Sequence, residues 1–167
     1  MSISDFGLAA LAQRVGSHLS RRNMWITTAE SCTGGWLAKS ITDIAGSSDW
    51  FSEGFVTYSN QSKVRRLGVP TKVLQKHGAV SKAAAVAMAS GALRRAKAQV
   101  AVSVTGIAGP SGAVPGKPVG TVWIAWVTRK GGVIKVTTQL KRFRGDRESV
   151  RRKTVQAALR GILKMPT

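Results

Sequence analysis

Between Gln99 and Val104 the chain carries a nearly unbroken apolar run. Side chains on a strand alternate between the two faces of a sheet, so a strand this apolar belongs in a sheet covered on both sides. The rest of the chain must supply the cover. Phe6, Leu8, Leu11, Val15 and Leu19 fall near helical spacing behind Ser4 as a cap, predicting an amphipathic helix over 5–20. A second helical pattern runs over about 34–44. A third follows the Ser59-Asn60 cap, a short one covers 73–77, and a long one follows Ser81 with a small-residue face at Ala84, Met88, Gly91, Ala92 and Ala96. The last begins around Asp146, with apolar Val150, Val155, Ala158, Leu159 and Ile162 opposite a basic face read as solvated. Strand-like segments at 24–28 and 54–58 alternate with these helices. Those at 120–128 and 132–140, separated by Arg129-Lys130-Gly131, read as an antiparallel hairpin.

At 167 residues the chain suits one domain, taken here as residues 1–167. No apolar run approaches the roughly 20 residues of a membrane span, and the N-terminus lacks a signal-peptide pattern, so the expected location is cytoplasmic. One cysteine makes no internal disulfide, and the two histidines lack metal-ligand spacing. The composition is otherwise ordinary except for charge. Twenty-six Lys and Arg against 7 Asp and Glu give a formal +19, which attracts anions: a phosphorylated metabolite, nucleic acid or a membrane surface. A small-molecule enzyme needs only one or two cations to hold a phosphate, so most of this charge calls for a solvated surface or for nucleic-acid association.

Chemistry concentrates where the first strand gives way to a helix, in Thr27-Thr28-Ala29-Glu30-Ser31-Cys32-Thr33-Gly34-Gly35. A sharp strand-to-helix turn presents a hydroxyl at the end of a sheet and aims unpaired helix N–H groups into the same space. Ser31 or Thr33 is then either a helix cap or part of a site. Cys32 is a thiol at a helix start or a small residue filling space, and the lack of a histidine partner favours filling. Tyr58 ends a strand and Lys63 enters the first turn of the next helix, where the helix dipole, and desolvation if it is buried, favour a neutral amine. Against this stands the usual solvated lysine. Thr105-Gly106-Ile107-Ala108-Gly109-Pro110-Ser111-Gly112 is a glycine-dense loop, either an ordinary turn or a close approach of backbone to a ligand. Trp50 and Phe51 read as core or subunit-contact residues.

Four ordered stretches resemble the CinA C-terminal domain family, and within it the stand-alone bacterial nicotinamide-nucleotide amidases. They are Thr28 to Gly35, Gly54 to Asn60 with Lys63, Thr105 to Pro110, and Lys117-Pro118-Val119-Gly120-Thr121-Val122. The resemblance covers nearly the whole chain. It implies an α/β fold: an α/β/α sandwich around a mixed, mostly parallel sheet with an antiparallel hairpin. It further implies hydrolysis of the carboxamide of nicotinamide mononucleotide to nicotinate mononucleotide and ammonia, in pyridine-nucleotide recycling, without cofactor or metal. Carried over by motif, Ser31 is the nucleophile, Lys63 the base and Tyr58 its hydrogen-bonding neighbour. Oxyanion donors are expected from the N–H groups after Ser31 and around Thr105-Gly106. The substrate phosphate is expected on Arg147, Arg144 and the Thr33-Gly34-Gly35 helix start. Glu30 either orients Lys63 or the ring, or supports the turn. A homo-oligomer is also implied, with Trp50, Phe51 or the hairpin as contact surfaces. The chain departs from the family in its cationic surface and in the acid-free loop Ser111 to Gly116. The alternative is an anion- or nucleic-acid-binding protein without amidase activity.

Overall fold

In the computed structural model, which describes residues 4–165, five strands form one sheet in the order β2-β1-β3-β4-β5. β1 (Ile26–Glu30) pairs parallel with β2 (Phe51–Val56) on one side and with β3 (Val100–Gly106) on the other. β4 (Thr121–Lys130) runs antiparallel to β3, and β5 (Val133–Arg142) antiparallel to β4, so four of the five strands point the same way. Gly131 and Gly132, both at positive φ, close the expected hairpin.

Helices cover both faces, as the apolar β3 requires. α1 (Asp5–Ser20), α2 (Trp36–Thr42) and α6 (Arg147–Ile162) pack on one face, where Leu11, Val15, Leu37, Ile41 and Leu159 meet Ile26, Val102, Val104, Ile124 and Trp126. α3 (Asn60–Leu67), α4 (Thr71–His77) and α5 (Lys82–Arg95) cover the other, where Leu67, Leu74, Met88 and Ala92 meet Ala29, Ala101, Ala125 and Val127. The small face of α5 allows close approach. A Cβ at Gly91 would sit 2.0 Å from the Leu67 carbonyl oxygen, so only glycine lets α3 abut α5 there. Trp50 is core, buried against Gly16 of α1.

The caps read from sequence at Ser4, Ser59 and Ser81 are observed, and Asp146, where the last helix was expected to begin, is a fourth; each accepts a hydrogen bond from the N–H three residues on. Three of the boundaries moved. β1 starts at Ile26 and continues through Glu30, two residues beyond the expected 24–28, because Thr27, Thr28 and Glu30 are polar yet wholly buried between two neighbouring strands. β2 starts at Phe51 rather than Gly54, paired to β1 through a register irregularity after Ile26. α2 begins only at Trp36, since Gly34 and Gly35 take positive φ of 60° and 98° that a helix excludes.

Candidate active site

From β1 the chain crosses through α2 to β2 on one side of β1. From β2 it returns through α3–α5 to β3 on the other. The two connections leave on opposite faces, so a crevice opens at the carboxyl end of β1, where ligands characteristically bind open α/β sheets. The ends of β2 and β3, the start of β4 and the end of β5 share that edge.

Strand alternation sorts the residues at this end. Glu30 turns toward the α1/α2/α6 face and Ser31, next in line, toward the α3/α5 face, while the Ser31 N–H still donates to the Val104 carbonyl at 3.0 Å. On that face Lys63 Nζ lies 3.0 Å from Ser31 Oγ. Lys63 comes from the first turn of α3, set by the Ser59 cap, and its Nζ also donates to the carbonyls of Thr57 at 2.8 Å and Tyr58 at 3.3 Å. Its side chain is only 1% exposed and pairs with no carboxylate among the described residues. Burial pushes its pKa below the ordinary 10.5.

Glu30 is 0% exposed and its carboxylate is fully engaged. It accepts from the Thr33 hydroxyl at 2.6 Å and from the N–H groups of Gly35, Leu37 and Ala38 at 3.0, 3.0 and 2.8 Å. Of the readings open in the sequence, this arrangement is support of the turn. It also corrects the expected phosphate cradle at Thr33-Gly34-Gly35: the Gly35 N–H is taken by Glu30 and the Gly34 N–H by the Ser31 carbonyl. The helix start already holds an anion, the protein's own. Cys32 is buried, and burial together with the charge of Glu30 pushes its thiol up to about 12, which leaves it a protonated filler.

Tyr58 neighbours Lys63 through its main-chain carbonyl. Its phenol, largely exposed, accepts from Arg147 Nη2 at 2.9 Å, and Arg147 Nη1 donates to the Gly109 carbonyl at 2.7 Å. The guanidinium is thus held at both ends between the β2–α3 turn and the glycine-dense loop. Thr105 is buried, with its hydroxyl donating to the Ala79 carbonyl at 2.8 Å. Because the Val104 carbonyl faces β1, alternation turns the N–H of Gly106 to the same side, past the end of β1 and toward the Ser31 turn. Arg144 is exposed. Its carbonyl accepts from Lys153 Nζ at 2.6 Å, and no contact brings its guanidinium to Ser31 or Lys63.

Sequence reasoning missed Arg151, which it assigned to the solvated face of α6. Arg151 Nη2 donates to the Thr33 carbonyl at 2.8 Å, and its guanidinium lies over the Trp36 ring, 5.3 Å from the centroid, tying α6 to the Ser31 turn. Its four-residue spacing from Arg147, which puts both on one helix face, was the available signal. No group of three His, Cys, Asp or Glu side chains among the described residues is placed to hold a metal ion.

The CinA C-terminal domain model matches residues 8–165. The chain belongs to that family. A relative named nicotinamide-nucleotide amidohydrolase PncC, from Escherichia coli (strain K12), is 52% identical over 160 residues, covering 96% of this chain and 95% of its own. One of the same name from Pseudomonas putida is 51% identical, covering 96% and 98%. Among solved structures of CinA-type proteins, the competence/damage inducible protein CihA from Agrobacterium tumefaciens superposes with a TM-score of 0.91 at 42% identity, over 98% of this chain and 97% of that one.

Proposed function

We propose that the protein hydrolyses the carboxamide of nicotinamide mononucleotide, with Ser31 as nucleophile and Lys63 as general base. The observation that carries this reading is the water-depleted Lys63 amine 3.0 Å from the Ser31 hydroxyl. The names of the relatives at 51–52% identity support the substrate.

A neutral amine has two hydrogens and one lone pair. The Thr57 and Tyr58 carbonyls accept the two hydrogens, which leaves the lone pair for the Ser31 proton. Ser31 Oγ attacks the carboxamide carbon as Lys63 takes that proton. The tetrahedral oxyanion is met by the N–H groups of Cys32, Thr33 and Gly106. Lys63 then delivers the proton to the amide nitrogen and ammonia leaves, forming an acyl-enzyme. Water, deprotonated by Lys63, attacks the ester and releases nicotinate mononucleotide. Arg147, preset by Tyr58 and Gly109, holds the phosphate with help from Arg144. Thr105 supports the loop opposite Ser31, and Thr33, Gly34 and Gly35 shape the Ser31 turn, which Glu30 fixes from behind. Pyridine-nucleotide recycling in the cytoplasm is the role that goes with this activity. The exposed stripe Ile134, Val136 and Leu140 on the hairpin supports a homo-oligomer.

The test is ammonia release from nicotinamide mononucleotide by purified protein, with chelator present. Loss in Ser31→Ala and in Lys63→Ala, both still folded, is expected. Retained turnover in Ser31→Ala removes the proposed nucleophile.

A further inference from the structure

A second surface answers the charge that the amide site leaves unused. Between β5 and α6, on the sheet face that carries α1 and α2, lies a groove of about 500 Å³. Lys141, Lys153, Arg160 and Lys164 line it, beside Phe143, Gln139 and Gln156. No acidic residue does. The chain's 7 acidic residues lie at positions 5–53 or at 146 and 148, and Asp146 is within electrostatic reach of Lys153 in this lining. The side chains of Lys141, Arg160 and Lys164 make no ion pair or hydrogen bond among the described residues, while Lys153 Nζ donates to the Arg144 carbonyl and feels the Asp146 carboxylate. The contrast within α6 is sharp: Arg152, on its other flank, pairs with Asp5 and Glu148.

Spacing makes a track of these cations. Lys153 and Arg160 stand seven residues apart on one stripe of α6, about 10 Å along the helix, and Lys164 follows in the turn just past its end. Lys141 faces them from β5, an edge strand whose outer backbone groups have no neighbouring strand. These like charges, three of them without a counter-ion among the described residues, repel one another, and a row of external anions relieves that. The groove is of small-ligand volume, with an aromatic side chain and amide groups among its cations. These features suit a flexible phosphodiester chain whose bases turn inward, whereas a duplex would rest on the rim. We propose that this groove binds single-stranded nucleic acid, independently of the amidase reading.

The experiment is fluorescence anisotropy of a labelled 20-nucleotide single strand, and of the same sequence as duplex, titrated with full-length protein across salt concentration. Four phosphates neutralised on a single strand give a slope of log K against log[salt] of about −2.8, or about a 50-fold loss between 50 and 200 mM. The double variant Arg160→Gln/Lys164→Gln is expected to fall to a slope of about −1.4, about a 7-fold loss. The control is Lys72→Gln/Lys76→Gln, on exposed positions of α4 in the opposite layer, which carries the same net charge. It keeps the wild-type slope, and ammonia release is unchanged in both. The proposal is overturned if the two double variants lose slope equally, if the duplex binds as tightly as the single strand, or if no binding is measurable at 50 mM salt.

Discussion

Two charged side chains are buried on either side of the carboxyl end of β1, and their surroundings are opposite. Glu30, 0% exposed, meets four donors from the turn and helix that follow it. Lys63, 1% exposed, meets two carbonyls and a hydroxyl and no anion, so burial dominates and its charged form is disfavoured. One residue of strand alternation separates Glu30 from Ser31, the partner of Lys63. The chain thus uses one face of β1 to fix a turn with a settled charge and the other to keep an amine ready to take a proton. A buried ion whose valences are filled by backbone is structural. One whose charge is unanswered is poised for chemistry.

If that contrast is right, removing the poised side costs activity and little stability. Ser31→Ala should lower ammonia release about 10⁴-fold or more, because nucleophile and base act as a unit. Lys63→Met should lower it about 10²–10⁴-fold and leave the protein as stable as wild type or more so in urea, since a buried amine with no carboxylate partner among the described residues has been replaced by an apolar chain of similar length. A Lys63→Met variant destabilised as badly as a Glu30 variant would erase the distinction.

Glu30→Ala should behave the other way. It strands the buried Leu37 N–H and Thr33 hydroxyl and the partly buried Ala38 N–H, with an expected loss of about 3 kcal/mol in denaturant unfolding. Turnover falls only because the Ser31 turn loosens, so partial rescue by Glu30→Gln, which keeps the shape and one acceptor oxygen, sharpens the reading.

The pH dependence carries the same contrast with a definite sign. The folded pKa of Lys63 lies below its unfolded 10.5. Between those two values the unfolded chain holds more protons than the folded one. Stability therefore rises with pH through that window, and it is lowest where Lys63 is charged in both states. Turnover rises with pH through the lower, folded pKa as the amine becomes neutral. In Lys63→Met the stability slope in that window should disappear, as unfolding curves at stepped pH will read.

Much of this was legible beforehand because it depends on local signals. The helix caps at Ser4, Ser59 and Ser81, the start of the last helix at Asp146, the covered β3 and the hairpin follow from spacing and turn chemistry. The placement of Ser31 and Lys63 at one edge follows from a strand end and a helix first turn. The burial of Lys63 was not legible, since lysine is usually exposed and only the packing of α3 against α5 determines otherwise. Nor was the role of Glu30. Caps are read from a residue just before the helix, and here the capping carboxylate comes from a strand residue five to eight positions upstream of the N–H groups it satisfies. Arg151 was hidden for a similar reason: its partner, the Thr33 carbonyl, lies 118 residues away.

The smallest expected effect tests whether the contrast extends to the mouth of the site. Tyr58 serves Lys63 by its carbonyl, which no substitution removes, and serves Arg147 by its hydroxyl. Tyr58→Phe therefore leaves the amine's surroundings intact and frees one end of the guanidinium, which keeps its bond to Gly109. A single exposed hydrogen bond of this kind is worth about 0.5–1.5 kcal/mol, so KM for nicotinamide mononucleotide should rise about 2–10-fold with kcat held. A fall in kcat at unchanged KM would instead mean that the phenol reaches the reacting atoms, and Arg147 would lose its role as the arm that Tyr58 presets.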